Sequence, residues 1–458
     1  MAGRYKPYSE YKDSGVEWLG LIPSHWRLAR IKESAKVING YPFDSKLFEP
    51  SQGIPLVRIR DISSSRTEVG YVGIVPPESL ISDGDVLIGM DGDFNVAKWK
   101  GGVAALNQRV ACIRATNYRV QNFVFYALPF SMKIINDLTY YTTVKHLSST
   151  DIVKTRFAFP PENELVRIVD FLDHETTKID TLIEKQQQLI QLLKEKRQAV
   201  ISHAVTKGLS SLNGGANAKL RDSGVEWLGE VPEHWISCTL RRYANFVDGD
   251  RGSEYPNEKD FTTEGVVFLS SKNIVEERLD LAEVKFISRE KFNALNRGKA
   301  LDGDLIVKVR GSVGRIGELA KFDTSEHGYH TAFINAQMMI IRTKSGLLTN
   351  YLRFISQSLY WTEQLAVGAY GTAQQQLSND VFSNLCLVVP PEEEQRMIVK
   401  KLEQDLISFN GLIGKAKRAI DLMQERRTAL ISAAVTGKID LRDWVAPQAS
   451  PTNKEVSA

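Results

Sequence analysis

The sequence predicts two homologous α+β domains alternating with two long helices. The helices pair as an antiparallel coiled coil about an internal pseudo-two-fold axis. Three observations carry this. Residues 12–26 (KDSGVEWLGLIPSHW) and 221–235 (RDSGVEWLGEVPEHW) agree at eleven of fifteen positions, at an offset of 209. Residues 160–209 and 390–439 match without a gap at an offset of 230. Within that second repeat, apolar residues recur at heptad spacing. A repeat this long marks duplicated domains rather than a solenoid unit.

Taken in order, residues 1–159 form an N-terminal segment and a first domain. A conserved helix follows over 160–208, then a linker and second domain over 209–389, then a second conserved helix over 390–439. The tail 440–458, rich in Pro, Ser and Asn after Trp444, is expected to be disordered. Short β-type runs punctuated by Gly, Asp, Asn and Pro fill each domain: Ile54–Ile59, Val86–Ile88 and Val110–Ile113 in the first, Val266–Leu269, Leu305–Val309 and Met338–Ile341 in the second. Helical patterns close them near 120–138 and 348–366. Each domain reads as α+β around a twisted, mostly antiparallel sheet.

In segment 162–206, Ile168, Leu172, Ile179, Leu182, Leu189, Leu193 and Val200 fall at spacings of three, four and seven. Ile398, Leu402, Phe409, Leu412, Ala419, Met423 and Leu430 hold the matching places. Pro161, Glu162 and Glu164 suit a helix start, and Gly208 and Gly437 suit helix ends. A helix of ~65 Å with one apolar stripe needs a partner, and its own repeat is the economical one. Gln186 and Ala416 then lie near the dyad.

Composition sets limits. The chain has 458 residues, net charge +3, and three well-separated cysteines, Cys112, Cys238 and Cys386. That excludes a disulfide framework and a clustered cysteine zinc site. No apolar run is long enough to span a membrane, and no secretory pattern opens the sequence. A reducing cytoplasm is expected, with no membrane partner. Near-neutral charge means that any nucleic-acid contact is local or shared with a partner.

Polar side chains gather at predicted strand ends and loops. In the first domain these are Arg58, Arg60, Lys98, Lys100, Asn107, Gln108, Arg109, Lys145 and His146. In the second they are Lys272, Asn273, Lys308, Arg310, Arg315, His330, Asn335, Gln337, Gln374, Gln375 and Gln376. Arg matches guanine edges and Asn or Gln matches adenine edges by bidentate geometry; Lys suits phosphates. For any single residue a solvated loop position is the plainer reading. As sets in divergent homologous domains they suit readers of two different targets.

No catalytic or metal-binding residue is assigned. Asp83/Asp85 and Asp302/Asp304 invite a nuclease reading, but Asp-Gly-Asp before an apolar run is turn chemistry. Asp91 and Asp93 face Arg310 and Ser312 in the other half, so that acidic pair is not shared. His25-Trp26 and His234-Trp235 brace domain entries. Phosphate-loop, dinucleotide and zincin patterns are missing.

These features together resemble the specificity (S) subunit of type I restriction–modification systems, over nearly the whole chain. The resemblance rests on Pro23-x-x-Trp26 and Pro232-x-x-Trp235, the Asp-Gly-Asp turns, and Leu147-Ser148 and Leu377-Ser378. The Pro-Pro-Glu helix starts and the Ala-Val-Thr ends at 204–206 and 434–436 complete it. One departure is Asn163-Glu164-Leu165, where Glu394-Gln395 keeps the family's Glu-Gln. The resemblance implies two target recognition domains, each reading half of an asymmetric split target. It implies helices that set the gap and dock two modification (methyltransferase) subunits using S-adenosylmethionine. It also implies restriction (translocase–nuclease) subunits using ATP and Mg, and no cofactor or catalysis in this chain. Half-site centres about one helical turn apart, ~10 bp, would let both readers meet one side of the duplex. The alternatives are a coiled-coil scaffold that reads no DNA and a stand-alone nuclease.

Overall fold

The computed structural model describes residues 5–138, 146–209, 219–225, 228–310, 316–368 and 377–447. The chain divides into two compact units. Unit 1 joins residues 1–186 to 418–458, and unit 2 is the continuous segment 187–417. The division cuts the first long helix (Glu162–Lys207) at 186/187 and the second (Glu392–Val435) at 417/418. Those cuts fall at Gln186 and next to Ala416, the positions expected near the dyad.

Each unit holds one domain with the same two sheets. In unit 1 an antiparallel sheet runs Val96–Lys98, Val86–Gly89, Val110–Ala115, Ala35–Asn39. A second sheet runs Phe48–Pro50, Val69–Tyr71, Ile54–Val57, Ala104–Leu106, Leu80–Ile81. Its pair Ile54–Val57 with Ala104–Leu106 is parallel. Unit 2 repeats both orders. Leu319–Lys321, Leu305–Lys308, Met338–Thr343 and Ala244–Asp248 form the first sheet. Phe261–Thr262, Lys285–Ile287, Val266–Leu269, Ala332–Ile334 and Lys299–Ala300 form the second, with Val266–Leu269 parallel to Ala332–Ile334. In place of the single sheet expected, each domain therefore has two larger sheets with two-stranded pairs beside them. The runs were found, but which pair with which depends on partners far apart in sequence.

The expected closing helices are Tyr118–Leu138 in the first domain and a broken pair, Thr349–Ile355 and Leu359–Gly368, in the second. The break sits at buried Ser358, whose hydroxyl donates to Ile355 O. Leu359 N then donates to Ser202 Oγ on the first long helix.

Both domains rest on their long-helix segments. In unit 1, Leu165, Ile168, Phe171, Leu172 and Ile179 share one core with Leu430, Ala434 and Val435, and Asp180 accepts from Arg427 at 2.8 Å. In unit 2, Ile201, Ala204 and Val205 share a core with Ile398, Val399 and Leu402. In each, the start of one helix lies with the end of the other, so the pair is antiparallel. The large residues of the heptad stripe are buried mainly toward the helix ends, while mid-helix Ala416 is buried at 4% exposure. Leu182, Leu189 and Leu412 are 44%, 43% and 49% exposed. Where no domain covers it, a two-helix seam shields only part of each side chain.

Glycines close both helices: Gly208 and Gly437 take φ of 76° and 70°, as left-handed helix caps do. A Cβ on Gly437 would stand 2.4 Å from Pro23 Cδ, so the cap also admits the Pro-x-His-Trp entry. There the buried Glu164 carboxylate accepts from Trp26 Nε1 (2.7 Å) and Tyr8 hydroxyl (3.1 Å), and meets His25 Nε2 at 2.6 Å. Burial, then the facing Glu164 charge, drives the Tyr8 pKa upward, so the phenol stays a donor. In unit 2, His234 meets Glu394 at 2.8 Å, whereas Trp235 Nε1 and Glu394 Oε1 are buried without a partner among the described residues. The departure at Leu165 has a local meaning. Gln395 accepts from Leu348 N and donates to Gly346 O and Pro390 O, bonds that Leu165 replaces with apolar burial.

The tail differs from expectation as far as it is described. Asp440 N donates to Lys6 O, Leu441 is buried, and Trp444 packs edge-on against Phe171. Residues 440–447 are thus ordered by apolar anchors that composition averaged over 440–458 conceals; residues 448–458 lie outside the described residues.

Candidate nucleic-acid interface

The Asp-Gly-Asp turns set the frame of each domain. Asp85 accepts from Ser82 N, closing the turn, and from Arg114 Nε and Nη2 at 2.8 and 2.5 Å. Asp304 does the same with Leu301 N and with Arg342 Nε and Nη2 at 2.8 and 2.7 Å. Asp83 accepts from Gly102 N, and Asp302 from Thr324 N and hydroxyl. Carboxylates engaged this fully act as brackets in the fold. Among the described residues no group of three or more His, Cys, Asp or Glu could hold a metal. Burial, with Asp85 adding to it, pushes the Cys112 thiol up to about 12, far from a reactive thiolate.

The parallel strand pair positions the candidate readers. Parallel strands end on the same side, so the two turns that leave them stand together. In domain 1, Val57 leads into a tight turn closed by Asp61 accepting from Arg58 N, and Leu106 leads into Asn107–Arg109. In domain 2, Leu269 leads into a turn closed by Asn273 accepting from Ser270 N, and Ile334 leads into Asn335–Gln337. Asn107 N donates to Val57 O, and Asn335 N donates to Leu269 O. Arg60 and Lys272 therefore hold equivalent exposed turn positions, as do Arg109 and Gln337, and the half-buried Asn107 and Asn335 are equivalent at the strand exits. A glycine seals each edge. A Cβ on Gly40 would lie 1.9 Å from Asn107 O, and one on Gly249 would lie 2.3 Å from Asn335 O.

A third segment joins from the far end of each domain. Met90 N donates to Arg109 O and Leu147 N donates to Met90 O; Val309 N donates to Gln337 O and Leu377 N donates to Val309 O. Asp91 and Arg310 thus occupy one equivalent position, and His146 precedes Leu147 as Gln376 precedes Leu377. Asp91 Oδ1 lies 2.6 Å from His146 Nδ1, and Asp91 Oδ2 lies 3.5 Å from Arg109 Nε. Arg310 is half-buried, with its Nε unpartnered among the described residues.

Other expected readers are committed elsewhere. Lys98 Nζ donates to Asn122, which donates to Asp173 on the first long helix, and its ring neighbour is Tyr118. Burial lowers its pKa. Lys308, 6% exposed, is bonded to Ile274 O and Glu318. Asn273 spends its amide on Asp280 O and Glu283 O. Arg58 pairs with Asp61 at 3.0 Å. Lys100, Gln108 and His330 are exposed. Lys145, Arg315, Gln374, Gln375 and Gln376 lie outside the described residues.

Sequence reasoning passed over Tyr41 and Arg251. Tyr41 N donates to Leu106 O beside Asn107, and the residue is 44% exposed. Arg251 Nη2 donates to Ala336 O between Asn335 and Gln337. Their signal was a glycine ending a β-run, Gly40-Tyr41 and Gly249-Asp250-Arg251.

Comparison with known proteins agrees with this duplicated geometry. The family described as the type I restriction modification DNA specificity domain matches residues 23–192 and again 247–420. The EcoBI type I restriction enzyme specificity subunit of Escherichia coli is 28% identical over 446 residues, covering 96% of this chain and 92% of that protein. The MjaVIII specificity subunit of Methanocaldococcus jannaschii is 21% identical over 444 residues, covering 94% and 98%. A chain solved in work on complex assembly and conformational transition of the type I R-M system shares the fold. Its TM-score is 0.66 at 17% identity, covering 91% of this chain and 99% of that one. With two copies of the family domain spanning most of its length, this chain belongs to the type I restriction–modification DNA specificity family.

Proposed function

We propose that this chain is the sequence-reading subunit of a type I restriction–modification complex. Each α+β domain reads one half of an asymmetric, split double-stranded DNA target. The observation that carries this is the equivalence of the two edges. Cationic residues sit at the same exposed turn (Arg60, Lys272), and asparagine recurs at the same strand exit (Asn107, Asn335). Side chains of different base preference then take the next place (Arg109, Gln337). The shared residues suit backbone positioning and adenine edges. Arg109 suits a guanine and Gln337 an adenine. Homologous edges with one altered reader are what two unlike half-sites require.

His146 and Arg310 belong to the same edges by position. Lys100 adds a cation for phosphate. Lys145, Arg315, Gln374, Gln375 and Gln376 are assigned to the interface on sequence alone. The inward commitments of Lys98, Asn273 and Lys308 make them supports of the edge, with Arg58 bracing its turn.

The long helices set the gap between half-sites and dock two modification subunits. Exposed apolar side chains on them, Leu182 and Leu422 in unit 1 and Leu189, Leu192, Ile407 and Leu412 in unit 2, support a partner surface. S-adenosylmethionine belongs to the modification partners, and ATP and Mg to restriction subunits that join them. This chain supplies recognition and no catalysis, and works in the cytoplasm. Among its described residues no helix is long and apolar enough to cross a membrane.

The test is methylation-sensitive sequencing of a host genome with this gene present and deleted. Loss of N6-methyladenine from one gapped, asymmetric motif on deletion is the expected result. Unchanged methylation, with modification subunits expressed, overturns the reading. Exchanging residues 27–159 for those of a relative alters one half-site; a change in both refutes the two-reader assignment.

A further inference from the structure

We propose that Asp91 is the positioning and specificity-determining residue of the first reader. It holds Arg109 and His146 at the junction of three chain segments, so that Arg109 offers its two terminal amino groups to a guanine edge. The proposal rests on the reading above and names the group that sets its first half-site.

Asp91 follows Met90, whose N–H and C=O are both taken by the neighbouring segments through Arg109 O and Leu147 N. Its backbone is therefore held, through Met90, between Arg109 and the residue that follows His146. Asp91 Oδ1 lies 2.6 Å from His146 Nδ1 and Oδ2 lies 3.5 Å from Arg109 Nε. Asp91 is 26% exposed, against 55% for Arg109 and 48% for His146, so the acid sits behind and its partners stand in front. With Nε turned toward Asp91, both terminal nitrogens of Arg109 are without a partner among the described residues. A guanidinium so presented matches the paired acceptors O6 and N7 of guanine. Anchoring it before binding removes part of the ordering cost that a free arginine meets on the DNA.

Domain 2 holds Arg310 at the equivalent place, in front of Gln337 rather than an arginine. An acid there would meet a glutamine in place of the arginine that Asp91 meets. The exchange Asp91/Arg310 thus accompanies Arg109/Gln337, as expected if this position tunes the reader beside it.

The test maps methylated motifs by sequencing in a methylation-free host that expresses the chain with its modification subunits. A bidentate arginine discriminates against a wrong base by about tenfold to a hundredfold. Asp91→Asn is expected to lower that several-fold at one G·C pair of one half-site, leaving the gap and the other half-site intact. Arg109→Lys, which retains Asp91, relaxes the same pair. A D91N motif as sharp as wild type overturns the proposal. So does relaxation by R109K at a pair that D91N leaves strict. A D91N chain that fails to fold overturns it too, since Asp91 would then serve the fold. A wild-type chain that directs no gapped motif instead removes the underlying reading, before any variant is compared.

Discussion

Replacing Glu164 by alanine should destabilise unit 1 far more than Glu394→Ala destabilises unit 2, although the two residues are repeat equivalents. Glu164 accepts from Trp26 Nε1 at 2.7 Å and from Tyr8 at 3.1 Å, both donors being buried, and contacts the more exposed His25. Hydrogen bonds to a charged group are worth about 1.5–3 kcal/mol each, and losing the acceptor strands both donors. The sum for E164A is about 3–5 kcal/mol, as for other broken buried charge contacts. Glu394 is bonded to His234 alone among the described residues, and that imidazole is 51% exposed. Its removal should cost about 1 kcal/mol, since it breaks one contact to a half-exposed imidazole and also removes a buried, unpartnered acceptor. Hydrogen exchange read by peptide mass spectrometry separates the two without assuming two-state unfolding. At about 1.4 kcal/mol per factor of ten, E164A should speed exchange over 20–30 and 162–172 by roughly a hundredfold or more. E394A should speed the corresponding peptides of unit 2 by less than about tenfold. Equal effects in the two variants would refute the argument, because the missing Trp235 bond would then be irrelevant.

Four further outcomes follow from named contacts. Lys272→Ala should weaken DNA binding by the full complex at all sequences and reduce the salt slope by about 0.9; an unchanged slope in salt titrations of binding would exclude a phosphate contact. Lys308→Ala strands Glu318 and Ile274 O, so it should lower the melting temperature of unit 2 by an amount equivalent to about 3 kcal/mol; a normal melt with altered sequence preference would make Lys308 a reader instead. Gly40→Ala forces Cβ against Asn107 O, so the first half-site should lose definition in methylation mapping while unit 2 melts normally; an unaltered motif would show that the edge tolerates the shift. Backbone donors, Gly252 N foremost, then Asn296 N and Arg297 N, hold the Asp250 carboxyl below its ordinary range. That stabilisation is present above the unfolded aspartate value, ~3.9, and is lost as pH falls through the folded one. Asp250→Asn should therefore flatten the acid limb of unit 2 stability in denaturant titrations below about pH 4; an unchanged limb would count against it.

Much of the architecture was legible because it is local or duplicated. The expected spans 160–208 and 390–439 bracket the long helices Glu162–Lys207 and Glu392–Val435, because heptad spacing, acids at the start and glycine at the end are all written twice. The strand runs around Val86, Val110, Leu305 and Met338 were legible for the same reason. Their assembly into two sheets was not, since the parallel partners Ile54–Val57 and Ala104–Leu106 are separated by a long stretch of chain. The interface was legible as loops and not as an edge. Nothing local to Lys98 announces Asn122, and nothing local to Lys308 announces Glu318, so donors bound inward looked like donors facing out. Asp91 showed the opposite failure: without Arg109 and His146 beside it, it could only be weighed with Asp93 as an acidic pair and set aside.

The division of the chain has a consequence for biosynthesis. Unit 2 is one uninterrupted segment, whereas unit 1 is assembled from the two flanking segments. A ribosome therefore delivers every part of the second-encoded domain before it delivers the last part of the first. Ile179 leaves the tunnel 251 residues ahead of Leu430, with which it shares a core. At 5–20 residues per second that is roughly 12–50 seconds. Through that interval the apolar face awaiting Leu430, Ala434 and Val435 stays uncovered. A nascent chain stalled in the second long helix would carry a finished-looking second reader on an incomplete first one. The order of emergence, rather than the order of the domains, decides which half of the molecule is vulnerable to chaperones and proteases.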